Sequence, residues 1–265
     1  MPKVIANDLE IYYERRGQGK PLLYISGTGA DLRNTPNQFD SPLGIAFDLI
    51  AYDQRGLGQT GKPSGRYTMA DYADDAAALL DALEIEQIAV MGVSFGGMVA
   101  QELVLRHAER VSQLVLACTS SGGAGGASYP LHELEGLPAA ERAQRHLKIA
   151  DLRHTDTWIE AHPEAWQRRI HLSMAARRSD RDETGAAQQL DARRHHNTFA
   201  RLPGLSLPVL LTGGVYDGIA PVENLRQLQQ QIPDSELRLY EGGHLFLIQD
   251  KLAYPQIVDW LNGLG

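Results

Sequence analysis

The chain has 265 residues, of which 43% are hydrophobic and 22% charged, a composition typical of a globular protein with a substantial core. The formal net charge of −8 argues against a nucleic-acid partner, and no segment approaches the roughly 18–20 consecutive apolar residues of a membrane span. Since the single cysteine, Cys118, excludes an internal disulfide and no apolar run of signal-peptide length follows Met1, we expect a cytoplasmic protein without a membrane partner.

The first 121 residues alternate apolar strands with amphipathic helices. Strands are predicted at residues 3–6, 9–15, 21–25, 47–53, 87–91 and 111–117. One helix is predicted at residues 68–83, where Thr68 and Asp71 resemble a capping box, and another at 98–105. Strands that are apolar throughout, rather than alternating, are typical of a parallel sheet covered on both faces. We therefore expect the α/β class, with a mostly parallel central sheet and helices on both faces.

A helical insertion interrupts this pattern. A glycine-rich passage at residues 120–126 precedes predicted helices at 138–152, 163–176 and 183–199. The pattern then resumes with strands at 207–212 and 236–240 and helices at 221–232 and 252–264. Residues 1–121 and 203–265 are thus predicted to form one α/β core domain, and residues 122–202 a helical cap. Residues 141–201 carry twelve Lys and Arg against nine Asp and Glu, so this part of the cap is basic while the whole chain is acidic.

The most specific chemical signal is GVSFGG at residues 92–97, between a predicted strand and a predicted helix. The glycines are needed because a Cβ there would clash with the neighbouring strand or helix. Such a turn holds Ser94 in a strained conformation with its hydroxyl exposed at the edge of the sheet. The N–H groups of the next helix favour negative charge at the same place. Ser94 is therefore the candidate nucleophile.

A serine hydroxyl needs an oriented base to accept its proton. His244 follows a predicted strand on a loop of small residues, and Asp217 follows the preceding one. Both lie, like Ser94, just beyond carboxyl ends of strands, where open α/β sheets bind ligands. Residues 118–121 offer no carboxylate in place of Asp217, and Cys118 itself is expected to be buried and inert. We predict that His244 is the base and Asp217 its orienting acid.

An oxyanion formed at Ser94 would need two hydrogen-bond donors. One is the backbone N–H of Phe95, and the other is expected from the loop at residues 26–30. Thr28 is the favoured residue of this loop, with Gly27 and Gly29 as alternatives and as candidate substrate contacts. Each such donor contributes roughly 3–4 kcal/mol of transition-state stabilisation.

These residues together resemble the α/β-hydrolase fold superfamily, in the form that carries a helical cap. The resemblance covers nearly the whole chain: residues 92–97, Asp217 and His244, in that order, and DQRGLGQT at residues 53–60, which is similar to the family turn D-x-R-G-x-G-x-S. Ser26 stands where many members have histidine, and the segment from Ser26 to residue 32 looks like the enol-lactonase and esterase branch. The resemblance implies a nucleophile elbow at the serine. A serine there counts against haloalkane dehalogenases and epoxide hydrolases, which use aspartate.

Two other motifs suggest different chemistry. GLGQTG at residues 56–61 fits a phosphate-binding G-x-G-x-x-G, but Pro63 and the delayed helix leave no helix N-terminus to meet a phosphate. Asp53 and Arg55 are instead expected to be structural. His195 and His196 are adjacent and do not share a helix face, so no metal site is predicted.

The cap offers candidate substrate contacts whose orientation the sequence leaves open. Trp158 and Trp166 either pack the cap or line the pocket. The arginine pairs at residues 168–169, 177–178 and 193–194 are either solvated or meet a substrate carboxylate.

We expect a serine hydrolase that cleaves a small carboxylic ester or enol-lactone through an acyl-enzyme, without cofactor or metal. The alternatives are a hydrolase of C–C bonds in acidic diketones and a slow-turnover ligand-binding receptor of the same fold. A small molecule is the expected partner, and a homodimer is left open.

Overall fold

The computed structural model describes residues 2–263, which form eight strands and ten α-helices. The strands are β1 (Lys3–Ala6), β2 (Leu9–Arg16), β3 (Pro21–Ile25), β4 (Asp48–Tyr52), β5 (Ile88–Val93), β6 (Val111–Ala117), β7 (Val209–Gly214) and β8 (Ser235–Tyr240). The helices are α1 (Pro42–Ala46), α2 (Met69–Ala82), α3 (Phe95–Arg106), α4 (Ala139–Ala150), α5 (Asp156–Ala161), α6 (Pro163–Ala176), α7 (Glu183–Arg194), α8 (Val222–Gln231), α9 (Phe246–Gln249) and α10 (Ala253–Asn262). The last residue of the predicted helix at 252–264 lies outside the described residues.

All eight strands join one sheet in the order β1-β2-β4-β3-β5-β6-β7-β8. The pairs β1–β2 and β2–β4 are antiparallel, and the other neighbouring pairs are parallel. The expected mostly parallel sheet is therefore confirmed. Because β3, β5, β7 and β8 run in the same direction, the loops that follow them gather at one edge of the sheet.

Alternate residues of the central strands enter two separate apolar cores. Leu114 and Leu116 of β6 belong to the core shared with α2, α3 and α8. Val115 and Ala117 belong to the core shared with α1, α9 and α10. Helices thus cover both faces, as expected, and the buried strands keep the sheet edge rigid.

The chain between β6 and β7 contains α4 to α7. α4 and α6 pack through a small apolar cluster of Ala143, Trp166 and Ile170. The predicted helix at residues 183–199 ends early, at the end of α7, because the following backbone pairs with the start of the insertion. Thr198 N–H donates to the Ser121 carbonyl at 2.8 Å, next to a bridge between Gly122 and Asn197. α5 is a short helix that the sequence did not predict.

The G-x-G-x-x-G segment folds as a closed turn. Gly56 N–H donates to the carbonyl of Gly61 at 3.0 Å, and the Asp53 carboxylate accepts the N–H groups of Leu32 and Gln59 at 2.7 and 2.8 Å. Nearby, Arg55 forms a buried ion pair with Asp75 at 2.7 Å. These polar groups are therefore used within the fold.

Within residues 2–263, no helix combines the length and the apolar character that crossing a bilayer requires.

Candidate active site

Ser94 lies in the sharp turn between β5 and α3. Its backbone has φ +57° and ψ −115°, a strained combination for a residue with a side chain. The close packing of the turn explains the glycines: a Cβ on Gly92 would overlap the Gly96 carbonyl, and one on Gly96 would overlap the carbonyl of Ile25. The Ser94 N–H donates to the Ala117 carbonyl at 2.8 Å, which ties the turn to β6. The position of the hydroxyl is therefore set by packed backbone.

The structure brings the three predicted polar side chains into one hydrogen-bonded series. The Ser94 hydroxyl lies 3.0 Å from His244 Nε2, and His244 Nδ1 lies 2.7 Å from Asp217 Oδ2. The other carboxylate oxygen of Asp217 accepts the N–H groups of Ile219 and Ala220 at 2.8 and 2.9 Å. With Nδ1–H donating to Asp217, Nε2 is the free acceptor for the serine proton. This arrangement can move a proton from Ser94 to His244.

Cys118 is a third neighbour of the His244 ring that the sequence analysis did not predict. Its backbone has φ +43°, and its thiol lies within 4.8 Å of the ligating atoms of Asp217 and His244. Burial, which lowers the pKa of an imidazole, is outweighed at His244 by Cys118 and by the Asp217 carboxylate, so that its pKa lies above the ordinary value of 6.5. The cysteine was expected to be inert, but it contacts the site.

Cys118, Asp217 and His244 have potential metal-ligating atoms within 4.8 Å of one another, close enough to hold an ion. Asp217 and His244 are already hydrogen-bonded to each other, so a metal would compete with the proton relay. His195 lies elsewhere, exposed and near Arg66. The burial of His196 lowers its pKa to about 3, which keeps it neutral.

The carboxyl end of α4 holds the loops that carry the acid and the base. His244 N–H donates to the Ala150 carbonyl at 2.6 Å, and Gly218 N–H donates to the Ile149 carbonyl at 2.9 Å. The insertion therefore anchors two loops of the core from above. Since these acceptors are backbone carbonyls, no residue type in the sequence marked them.

The oxyanion side of the site is formed by the start of α3 and the loop after β3. Phe95 is the first residue of α3, so its N–H has no acceptor within the helix. A Cβ on Gly27 would lie 3.5 Å from Ser94 Cβ, which brings this loop against the nucleophile. The Gly29 N–H is already bound, donating to Gln189 Oε1 of α7 at 2.8 Å. Of the three predicted residues in this loop, Thr28 and Gly27 therefore keep a free N–H within the described chain.

A cavity of about 590 Å³ opens beside this loop. Its walls come from residues 28–34 of the core and from the insertion, including Leu134, His146 and Leu190. Five arginines and five acidic residues line it: Arg33, Arg142, Arg177, Arg178, Arg181, Asp31, Glu135, Asp180, Asp182 and Glu183. Burial, together with His244 and Arg193, lowers the pKa of His146 to about 4, so this imidazole is neutral at pH 7.

Trp158 and Trp166, predicted as substrate contacts, pack inside the insertion. Trp166 is buried in the cluster between α4 and α6, and both rings contact His154 at centroid distances of 5.1 and 5.4 Å. Neither lines the cavity. These contacts are those of the packing alternative, and a role in substrate binding stays a prediction. Thr28 and Gly29 do line the cavity, and Gly27 lies beside Ser94.

The chain is similar in sequence and in fold to known proteins. A family model described as alpha/beta hydrolase fold matches residues 20–251. The chain is 28% identical over 261 residues to 3-oxoadipate enol-lactonase 2 of Acinetobacter baylyi, covering 96% of this chain and 93% of that protein. It is 37% identical over 140 residues to a 2-hydroxymuconate semialdehyde hydrolase of a Pseudomonas strain, covering 52% of this chain and 47% of that protein. The crystal structure of the enol-lactonase from Burkholderia xenovorans LB400 superposes with a TM-score of 0.80 at 22% identity, covering 98% of this chain and all of that one.

Proposed function

The chain belongs to the α/β-hydrolase fold family, and we propose that it is a serine hydrolase that cleaves a small carboxylic ester or lactone. The strongest support is the hydrogen-bonded series Ser94–His244–Asp217, with distances of 3.0 and 2.7 Å, at the carboxyl edge of the sheet. Family membership alone supports a hydrolase. The ester or lactone preference is inferred from the site and from the relatives.

In the proposed acylation step, Ser94 Oγ attacks the substrate carbonyl carbon while His244 Nε2 takes the hydroxyl proton. The negative charge that develops on the carbonyl oxygen is stabilised by the N–H groups of Phe95 and Thr28 and by the positive end of α3. His244 then gives its proton to the leaving alkoxide, which departs as the alcohol or, in a lactone, stays attached to the acyl group.

In the proposed deacylation step, water replaces the alcohol. His244 accepts a proton from the water, and the resulting hydroxide attacks the acyl carbon. The ester bond to Ser94 breaks, the proton returns to Ser94 Oγ, and the carboxylic acid leaves. Asp217 keeps the His244 tautomer fixed and stabilises the imidazolium in both steps, because its other oxygen is held by two backbone N–H groups.

Two relatives indicate the substrate chemistries to test first. The near full-length similarity to an enol-lactonase favours a lactone or ester. The similarity over about half of the chain to a semialdehyde hydrolase favours a second candidate, hydrolysis of a C–C bond next to a carbonyl in an acidic diketone. The same nucleophile, base and oxyanion donors would serve both reactions.

The proposal is tested by a substrate screen with purified protein. Short-chain esters, saturated lactones, an enol-lactone and a vinylogous diketone acid are compared for wild type and Ser94→Ala. We expect ester or lactone turnover by wild type, and a loss of kcat of about 10⁴- to 10⁶-fold in the variant with its circular dichroism spectrum retained. Near-normal turnover by the variant would refute the role of Ser94. Turnover of the diketone acid alone would select the second candidate.

A further inference from the structure

α7 carries two buried polar side chains one helical turn apart, Gln189 and Arg193. Gln189 is 0% exposed, and its Oε1 accepts the Gly29 N–H at 2.8 Å. Its amide nitrogen Nε2 has no hydrogen-bond partner within residues 2–263. A buried amide donor without a partner is costly, so a ligand that accepts this hydrogen bond would bind favourably.

Arg193, four residues further along, is a buried cation that no carboxylate neutralises within the described chain. It is 6% exposed and donates to the Tyr129 carbonyl at 2.7 Å and to the Ser128 hydroxyl at 2.8 Å. Its Nε has no partner among the described residues. Burial lowers its pKa to about 10, which leaves it charged at neutral pH. A buried charge held only by neutral groups attracts an anion.

Both side chains lie close to the proposed reaction centre. Gly29, which Gln189 contacts, lines the 590 Å³ cavity beside Thr28. The Thr28 hydroxyl is also buried and has no partner within residues 2–263. Arg193 reaches the other side of the site through Tyr129, whose carbonyl accepts its hydrogen bond and whose N–H donates to the Ile219 carbonyl at 2.7 Å, beside the Asp217 carboxylate. Three unused donors therefore lie on α7 and on the oxyanion loop that Gln189 contacts.

We propose that Thr28, Gln189 and Arg193 form an anion-binding subsite that takes a carboxylate group of the substrate, separate from the carbonyl that Ser94 attacks. This inference rests on the proposed function and narrows its substrate class. The substrate is then a half-ester of a dicarboxylic acid or a lactone bearing a free carboxylate. Gln189 has two tasks in this arrangement: its oxygen positions the oxyanion loop, and its amide nitrogen binds the substrate.

Wild-type selectivity gives the first test. Monoethyl glutarate and ethyl pentanoate have the same leaving group and chain length and differ in the terminal carboxylate. We expect kcat/KM to favour the half-ester by about 10- to 100-fold, the range of one charge-assisted hydrogen bond. Equal rates, or a preference for the neutral ester, would overturn the subsite.

Gln189→Glu separates the two tasks of this residue. The substitution keeps an oxygen for the Gly29 N–H but replaces the amide donor with a negative charge. We expect the half-ester to neutral-ester ratio of kcat/KM to fall by about 10- to 100-fold, mainly through KM for the half-ester. The matched control is Gln188→Glu: Gln188 adjoins it on α7, and its Oε1 accepts the Tyr67 N–H at 3.3 Å. An unchanged ratio in the Gln189 variant, or an equal fall in the control, would contradict the subsite.

Binding measured without turnover distinguishes this inference from the proposed function. Calorimetry of glutarate and pentanoate with Ser94→Ala requires no catalysis. We expect glutarate to bind at least about 10-fold more tightly, and Arg193→Met in the same background to remove that difference. Glutarate selectivity in a protein that hydrolyses no ester would uphold the subsite and refute the proposed function. Ester hydrolysis without glutarate selectivity would uphold the proposed function and refute the subsite.

Discussion

The proposed chemistry and the proposed substrate recognition lie in two regions that are held together differently. In the α/β core, Ser94 is fixed by glycines packed against backbone and by a hydrogen bond to β6. The insertion between β6 and β7 has a small apolar cluster of its own, adds Ala192 and Leu202 to the larger core, and forms polar contacts with the core, such as the ion pair between Arg33 and Asp180 at 2.7 Å. The core thus fixes the nucleophile, whereas the insertion supplies most of the cavity lining and holds the loops of the acid and the base.

The two regions meet at contacts that involve the reaction centre. α4 binds the His244 loop through the Ala150 carbonyl and the Asp217 loop through the Ile149 carbonyl, and α7 binds the oxyanion loop through Gln189. Substitutions in the core should therefore act on the rate of the chemical step or on stability. Substitutions in the insertion should act on selectivity, with smaller effects on the chemical step.

The largest expected effect is that of Asp217→Asn in the core. The substitution preserves shape but favours the wrong tautomer of His244, and we expect kcat to fall by about 10⁴-fold. Ester hydrolysis under saturating substrate measures this, with melting temperature as the control for folding. A rate near that of wild type would mean that another group orients the base.

A pair of glycine substitutions compares the packing of the two regions. Gly96→Ala in the core forces a Cβ onto the carbonyl of Ile25, and we expect the free energy of unfolding to fall by about 1–3 kcal/mol or more. Gly136→Ala in the insertion has no atom within 4 Å of the added Cβ, and a change within about 0.5 kcal/mol is expected. Chemical denaturation followed by circular dichroism measures both. Equal destabilisation would contradict the difference in packing.

The pH dependence of the rate tests the surroundings of His244. Because Asp217 and Cys118 hold its pKa above 6.5, the neutral base forms only at higher pH. The rising limb of kcat/KM should therefore lie above pH 6.5 and move towards lower pH in Cys118→Ser. Because the pKa of His244 is raised in the folded state, its protonation stabilises the fold. This contribution to stability is fully present below pH 6.5 and is lost as the pH rises through the folded-state pKa. A rising limb at or below pH 6.5 would contradict this electrostatic picture.

The smallest expected effect is that of Asp180→Asn, which removes an exposed ion pair between insertion and core. Solvent screens such pairs, so we expect the melting temperature to change by less than about 3 °C. Added salt should produce a similar small change in wild type. A large loss of stability would show that ion pairs, not the hydrogen bonds made by α4 and by Gln189 of α7, hold the insertion in place.

The sequence predicted the core well because its signals are local. Ser94 and Asp217 each follow an apolar strand, His244 follows the alternating strand β8, and parallel strands bring such positions to one edge. The capping box at Thr68 and the bounds of most strands follow from short-range patterns of the same kind.

The contacts between the regions could not be predicted because they depend on long-range packing. Gln189 is 160 residues from Gly29, and nothing around either residue indicates their hydrogen bond. The orientation of Trp158 and Trp166 was open for the same reason, since an amphipathic helix does not reveal which neighbour covers its apolar face. The position of Cys118 beside His244 likewise depends on how β6 and β7 pair.

The most direct test of the catalytic assignment is covalent labelling with a fluorophosphonate, located by peptide mass spectrometry. We expect one label per chain, attached to Ser94, and no label in Ser94→Ala under the same conditions. A label on another residue, or no label on the folded wild-type protein, would contradict it.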